Sequence, residues 1–349
     1  SYFFKLSKWQ DNLLDYYKKN PDSIMPKTRY NEVISFIKGG LNDLSISRTT
    51  FKWGIKVPNT KNHIMYVWID ALCNYLTSIG YPDLKNKTFN DFWPGLHIVG
   101  KDILRFHAVY WPAFLFAADL APPKKIFAHG WWTNNGQKIS KSLGNVIDPY
   151  EIISEFGLDQ FRFFLFRDVP FGNDGDFSKN SLAKRVNADL SNNYGNLIQR
   201  ITSFINKNSN QTVENKFDIN DDDNILIKNS LIKLENYQNY MNEQKLDKAL
   251  KEIFELLTDV NIYVDKQAPW QLKKINLDRM NVVLSVSIEL IKRSTFMLFP
   301  FMPNSCIKVF NILNIKYENL NFQNISILPT ESKKINSSEP IFPRIDLDD

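Results

Sequence analysis

Hydrophobic positions change their spacing twice along this chain, and the changes divide it. Over 1–45, Leu6, Leu13, Leu14 and Tyr17 recur at helical intervals until Asn20-Pro21-Asp22 and Met25-Pro26 interrupt them. A second short helix is predicted over 31–37, closed by Gly39-Gly40. Short apolar runs then take over. Residues 64–69, 96–100 and 125–130 each read as a buried strand, and helical patterns over 70–79 and 102–116 follow the first two. Strands alternating with helices predict parallel pairing with crossovers, and ligands bind such sheets at the carboxyl ends of the strands. Trp68-Ile69-Asp70, Gly100-Lys101-Asp102 and His129-Gly130 fall at those ends.

After 178 the pattern is helical throughout. Leu182, Val186, Leu190, Leu197, Ile201 and Phe204 mark one long amphipathic helix. Leu246, Leu250, Ile253, Leu257 and Val260 mark a second, and Met280, Val283, Leu284, Ile291 and Leu298 a third. A weaker pattern covers 225–240, and the polar stretch 206–224, with Asp221-Asp222-Asp223, reads as a loop. Antiparallel helices joined this way form a bundle, with the polar, proline-bearing end of the chain as an extended tail against it.

Composition narrows the chemistry. The 349 residues, 43% of them apolar, suffice for two or three packed units. The longest apolar candidate, 108–118, is too short for a membrane span and contains Pro112, so no membrane partner is expected. Two cysteines, Cys73 and Cys306, exclude a disulfide framework and a zinc site built on three or four Cys, and with four histidines no catalytic metal site is expected. The 43 Lys and Arg exceed the 38 Asp and Glu to give +5, which permits a nucleic-acid partner without requiring one.

The sharpest local signal is Asn-Asn-Gly-Gln-Lys-Ile-Ser-Lys-Ser-Leu-Gly-Asn at 134–145. Lys138 and Lys141, each followed within two residues by Ser140 or Ser142, lie between Gly136 and Gly144. Such a loop can close over a triphosphate and stabilise charge on a departing pyrophosphate. An isolated sequence of this kind is equally a solvated surface loop. Residues 138–142 resemble the Lys-Met-Ser-Lys-Ser signature of class I aminoacyl-tRNA synthetases, with Ile for Met. Residues 66–75 (Tyr-Val-Trp-Ile-Asp-Ala-Leu-Cys-Asn-Tyr) and 99–112 (Val-Gly-Lys-Asp-Ile-Leu-Arg-Phe-His-Ala-Val-Tyr-Trp-Pro) are similar to the amino-acid-site segments of the methionyl-tRNA synthetase family. The resemblance runs nearly end to end.

The resemblance implies an α/β plus all-α fold: the second half of a class I Rossmann fold, then a helical-bundle anticodon-binding domain. Its parts would be 1–45, the end of a connective insertion; 46–125, the second Rossmann half; 126–180, the signature loop and stem-contact region; 181–330, the anticodon-binding bundle; and 331–349, a tail. It implies a methionine pocket from Trp68, Ala71, Leu72, Tyr75, Ile103, Phe106, His107 and Trp111. Aromatic walls suit a polarizable sulfur, and Tyr75 or His107 supplies one polar group to discriminate. Each aromatic alone is more simply a core residue; their arrangement in two sets near strand ends favours a pocket. Gly100 and Asp102 would meet the ribose of ATP or adenylate and His129-Gly130 the adenine, while Lys138, Ser140, Lys141 and Ser142 would hold the phosphates. Asp102 is also a plausible helix cap, and Asp70 is read as structural. In the bundle, Asn196 and Arg200 share a face, and with Pro269 and Trp270 they match the family's contacts to a CAU anticodon.

The implied reaction joins methionine to ATP and passes the methionyl group to tRNA(Met), with Mg2+ accompanying ATP and the lysines Lys138 and Lys141 neutralising pyrophosphate. These residues contain no His-x-Gly-His, no zinc-knuckle cysteines and no match to the family's residue for the methionine ammonium. The chain is therefore expected to begin inside the connective insertion, and to be unable to run adenylation at normal rate by itself. A cytoplasmic or organellar monomer is expected. Two rival readings are a non-catalytic tRNA-binding module and a helical scaffold on a generic nucleotide domain.

Overall fold

The computed structural model describes residues 1–214, 217–337 and 339–346, without the side chain of Lys141. The chain forms two compact units, 1–131 with 172–174 and 132–171 with 175–349.

In the first unit three parallel strands pair in the order Ile24–Met25, Lys125–His129, Leu96–Gly100. Helices Gln10–Lys19 and Lys27–Lys38 set Leu13, Tyr17, Val33 and Ile37 against Val99, Ile126 and Ala128 in a single core. The Tyr17 hydroxyl donates to the Ala108 carbonyl at 2.6 Å, so even this buried polar group is paired. Two expectations change. The run 64–69 is not one strand: only Ile64–Met65 is extended, pairing antiparallel with Ser47–Arg48, and a helix already begins at Val67 and runs to Thr77. Leu72 and Leu76, one turn apart, bury its inner face. A short apolar run is compatible with either period, and here the helical one wins. The missing strand is Ile24–Met25, inside what reads as an interruption between helices. The predicted helix 102–116 is also subdivided. A 3-10 turn, Lys101–Ile103, leads to a π turn, Phe106–Tyr110, and then to the α-helix Trp111–Ala117, where Pro112 occupies a first-turn position that needs no amide donor.

The second unit starts with the strands Trp132–Asn134, Gln137–Lys138 and Gly175–Phe177, with helices Pro149–Phe156 and Leu158–Arg167 between the last two. The predicted long helix then appears in three registers: α over Lys179–Arg185, π over Val186–Gly195 and α over Asn196–Asn208. Within the π stretch, Asn187 both accepts from and donates to the Ile345 backbone at 2.8 Å, fixing the tail. Tail strand Lys333–Lys334 pairs with Thr212–Val213. Asp221-Asp222-Asp223 are not loop but the first turn of the helix Asp221–Asn242. Carboxylates there complement the helix dipole, and Asn220 with Asp223 forms a capping box. Helices Leu246–Gln267, Pro269–Ile275 and Pro303–Ile312 complete the packing around Leu277–Leu298.

That central helix buries ions as well as apolar groups. Glu289 accepts from Lys292 at 2.7 Å and from Arg293 at 3.3 Å, while Arg293, fully buried, also donates to the Ser230 hydroxyl. Burial pushes the Glu289 carboxyl up and the Arg293 guanidinium down from their usual ranges, against the attraction between them. Such a pair is close to break-even as a unit, but breaking it strands a charge. Glu289→Ala is expected to cost about 3–5 kcal/mol, read as a lower urea midpoint of the chain.

Candidate functional site

In the first unit, the 101–117 segment and the helix Val67–Thr77 carry an aromatic cluster. Trp68 lies face to face with Phe106, ring centroids 3.9 Å apart, and edge-on to His107 at 6.1 Å. The Tyr75 hydroxyl and His107 Nε2 are 2.9 Å apart, and His107 Nδ1 lies 2.9 Å from the Ile103 carbonyl oxygen. A carbonyl can only accept, so Nδ1 carries the proton, Nε2 accepts, and Tyr75 donates. Burial lowers the His107 pKa and raises that of Tyr75, which keeps both groups neutral. Trp111, itself buried, stands 6.5 Å from Tyr75 and shares a core cluster with Leu72, while Ala71 is exposed. The structure thus brings together Trp68, Tyr75, Phe106, His107 and Trp111, with Ile103 supplying a carbonyl and Leu72 the backing. The result is an uncharged aromatic surface with one oriented polar pair. The stack closes the slot between Trp68 and Phe106, so any side chain entering there must part these rings.

One participant has no counterpart among the predicted residues. His97 stacks on Tyr75 at 4.2 Å on the inward face of Leu96–Gly100, within 6.2 Å of His107. Its Nε2 is buried with no hydrogen-bond partner, and burial, then the neighbouring His107, lowers its pKa to about 4. The sequence signal was a polar residue at an inward position of an alternating strand. Stacked on the Tyr75 ring, His97 restrains the plane of that ring and thereby the direction of the hydroxyl.

At the carboxyl end of the sheet, Gly100 pairs with His129, and Asp102 Oδ1 accepts from Trp131 Nε1 at 3.3 Å. Asp102 sits in the 3-10 turn without capping a helix. Lys101 bonds Asp174 at 2.6 Å and lies over the Trp131 ring at 4.3 Å. The Lys101 bond and the Trp131 amide hold the Asp174 carboxyl below the usual range. Gly130 runs so close to Asn173 that a side-chain carbon there would come within 2.2 Å of its carbonyl oxygen. Gly100, Asp102, His129 and Gly130 therefore share one strand-end ledge.

The signature loop belongs to the second unit. Asn135 and Gly136, with φ of 50° and 75°, turn the hairpin that ends at Lys138. Asp176 accepts from the Thr133 hydroxyl at 2.6 Å and the Gly136 amide at 2.7 Å, in that order of effect lowering its pKa. Asn145 closes the loop: its oxygen accepts from Ser140 N at 2.8 Å and its nitrogen donates to the Lys138 carbonyl at 3.0 Å. The Ser140 and Ser142 hydroxyls are 2.7 Å apart. Lys138 is exposed, and the Lys141 side chain lies outside the described residues. Asp176 lies outside the stretch 134–145, and Asn145, its last residue, has a role there that the sequence did not disclose.

In the bundle, Arg200 lies over the Trp270 ring at 5.8 Å and bonds Asp265 at 2.6 Å, with Asn196 exposed one turn earlier. Trp270 lies in the first turn of a helix: Leu246–Gln267 ends on Ala268 at φ 44°, and buried Pro269 starts the next helix. Left-handed geometry is costly for alanine and persists only when surroundings fix it. Here they do. Arg279 binds Asp223 at 2.7 Å and the Gln267 side-chain oxygen at 2.8 Å, and Tyr263 donates to Asp223 at 2.6 Å. Among the described residues no three His, Cys, Asp or Glu side chains cluster as metal ligands, and no helix is long and apolar enough to cross a membrane.

A family model described as tRNA synthetases class I (M) matches residues 1–202, and one described as the anticodon binding domain of methionyl tRNA ligase matches 213–349. The methionine–tRNA ligase of Rickettsia conorii is 50% identical over 99% of this chain and 69% of its own length. That of Brucella suis is 47% identical over 99% of this chain and 67% of its own length. The solved Mycobacterium tuberculosis methionyl-tRNA synthetase in complex with methionyl-adenylate is similar with a TM-score of 0.95 and 43% identity, across 99% of this chain and 69% of that one.

Two measurements probe the supports of these sites. The folded-state pKa of His97, about 4, lies below its usual 6.5, so its neutral form contributes stability above pH 6.5 that is lost as pH falls toward 4. His97→Gln is expected to flatten that part of the dependence of the urea midpoint on pH. Arg279→Ala leaves the buried Asp223 carboxylate without its cation and is expected to cost about 3–5 kcal/mol, with the earliest loss of hydrogen-exchange protection at the 267–270 corner.

Proposed function

The chain belongs to the methionyl-tRNA synthetase family, and from that premise we propose a role for each group of residues in methionine–tRNA ligation. The methionine side chain lies against Trp68, Ala71, Leu72, Tyr75, Ile103, Phe106, His107 and Trp111. The observation that carries this reading is the Tyr75–His107 pair, one neutral hydrogen-bonded couple, 2.9 Å long, inside an aromatic cluster. A thioether gains dispersion from the rings, whereas a charged competitor would lose its hydration in this uncharged cluster and a branched one would fit the ring faces poorly, and the Tyr75–His107 bond holds both polar groups in one orientation.

Gly100 and Asp102 meet the ribose of ATP, and His129 and Gly130 the adenine. The methionine carboxylate attacks the α-phosphorus, the bond to the bridging oxygen breaks, and pyrophosphate leaves. Lys138 and Lys141 neutralise it while Ser140 and Ser142 donate to its oxygens. No side-chain nucleophile takes part. The terminal ribose of the tRNA then attacks the mixed anhydride, releasing AMP and forming the ester. Mg2+ travels with the phosphates of ATP rather than in a cage of protein ligands. Asn196, Arg200, Pro269 and Trp270 read the CAU anticodon, Trp270 by stacking and the two polar residues at base edges. Under this reading residues 46–125 act on methionine and the ribose, 126–180 on the adenine, the phosphates and the tRNA stem, and 181–330 on the anticodon, and the chain works as a cytoplasmic monomer.

A second reading, a tRNA-binding module without amino-acid chemistry, is favoured by one contrast: Arg200 already lies over Trp270, whereas Trp68 and Phe106 are stacked shut at 3.9 Å. Two titrations of the 349-residue chain separate the readings. A methionyl-adenylate analogue is expected to bind, with about tenfold loss in Tyr75→Phe, and a CAU stem-loop is expected to bind with about tenfold loss or more in Trp270→Ala. CAU binding without affinity for the analogue supports the module instead, and loss of neither in the variants overturns both assignments.

A further inference from the structure

The second unit contains a cavity of about 300 Å³ that none of these roles uses. Its lining comes from the helices Asp221–Asn242, Leu277–Leu298 and Pro303–Ile312 and from the turn at Tyr317–Asn319, and includes none of Asn196, Arg200, Pro269 or Trp270. Most of the wall is aromatic: Tyr237, Phe296, Phe299, Phe310, Tyr317 and Phe322. Phe310 and Tyr317 are near parallel, inclined by 17° with centroids 5.8 Å apart, and Phe299 lies 5.5 Å from Tyr317. Phe322 meets Phe296 edge-on at 5.0 Å and Tyr237 at 6.4 Å. Phe322 is 46% exposed and Glu318 is exposed, so the cavity meets solvent beside them. Glu318 is the only charged residue in the lining, and among the described residues no cation pairs with it.

We propose that this cavity binds the quaternary ammonium head of a small, choline-like cation, with the rings around the methyl groups and Glu318 at the mouth. The π face of an aromatic ring is negative, so several rings around one space attract a cation that has lost its water. A quaternary ammonium loses it most readily, because it has no N–H to leave unpaired. Rings alone would also hold a neutral apolar group, and Glu318 separates the two cases: an unpaired carboxylate adds attraction for a cation and none for a hydrocarbon. A metal ion is a poor fit, since a hard cation needs several oxygen ligands and this wall offers one carboxylate. A stacked base is a poor fit as well. The near-parallel rings, Phe310 and Tyr317, have centroids only 5.8 Å apart, and a planar group held between two ring faces needs roughly 7 Å, two carbon contacts. Walls set at several inclinations suit a compact, rounded head instead. The volume is that of a small-molecule site, at the lower end of the range. The assignment does not depend on the synthetase reading.

The test is a calorimetric titration of the whole chain with choline and with its neutral isostere, which has a tert-butyl group in place of the trimethylammonium. Choline is expected to bind about tenfold more tightly than the alcohol of the same shape. Glu318→Gln, a change at an exposed side chain, should weaken choline about threefold and leave the alcohol unchanged. Phe322→Leu should weaken choline about tenfold, and Phe322→Trp should restore it, since indole is the strongest cation-binding ring. Equal affinity for choline and the alcohol makes the space a plain apolar cavity and overturns the proposal, as does the absence of binding by either. A peptide carrying trimethyllysine presents the same head on a polypeptide and is expected to bind no more tightly than choline. Markedly tighter binding by the peptide overturns the assignment to a small molecule.

Discussion

Five consecutive residues of Leu96–Gly100 pair in register with Lys125–His129, and the chemistry of the first unit depends on that register. Side chains alternate along a strand, so fixing the pairing sends His97 and Val99 inward and leaves Gly100 beside His129 at the end. A slip by one residue would turn His97 out of the aromatic cluster and put a side chain where Gly100 now ends the strand. The same register fixes where the 101–117 segment starts, and therefore how Phe106, His107 and Trp111 are presented.

The second unit solves a different problem. Its candidates, half-buried Arg200 and exposed Trp270, must stand at a surface without collapsing into it. The unit is braced by polar networks: Asp223, Tyr263, Gln267 and Arg279 hold the corner at Ala268, and Arg293, paired with Glu289 on its own helix, donates to Ser230 on another. Both networks join helices distant in sequence, so each fixes how one helix is rotated against another more narrowly than apolar packing alone would. The π stretch Val186–Gly195 has a comparable effect. Its altered winding resets the face presented by Asn196–Asn208, the helix that carries Asn196 and Arg200.

Long stripes with a single period were legible. The long bundle helices and the strands at 96–100 and 125–129 follow from spacing that no neighbour has to supply, whereas the turn at Asn135-Gly136 reads in the sequence only as part of a glycine-flanked loop. What failed was short or double-valued. Two residues, Ile24 and Met25, carry no period, and the run 64–69 satisfies a strand and a helix equally until Leu72 and Leu76 find a core. Asp221-Asp222-Asp223 read as solvated charge because a helix start is decided by its cap, Asn220, and not by its charges. Among site residues, the motif pointed to lysines and serines, whereas Asn145, the last residue of 134–145, and Asp176, outside it, shape the loop. His97, Asp223 and Arg279 escaped for the same reason. Each acts through a partner far away in sequence, and only the fold makes such partners adjacent.

The hairpin tip at Asn135-Gly136 has a consequence for how the molecule ages. Asparagine followed by glycine is the dipeptide that cyclises most readily to a succinimide, opening to aspartate or isoaspartate and inserting an extra backbone carbon. The attacking atom is the amide nitrogen of Gly136, and in the folded chain that nitrogen is engaged by Asp176 at 2.7 Å. One carboxylate therefore shapes this hairpin and also occupies the atom through which it would decay. The lifetime of the loop is set by how often the strand Gly175–Phe177 lets go of it.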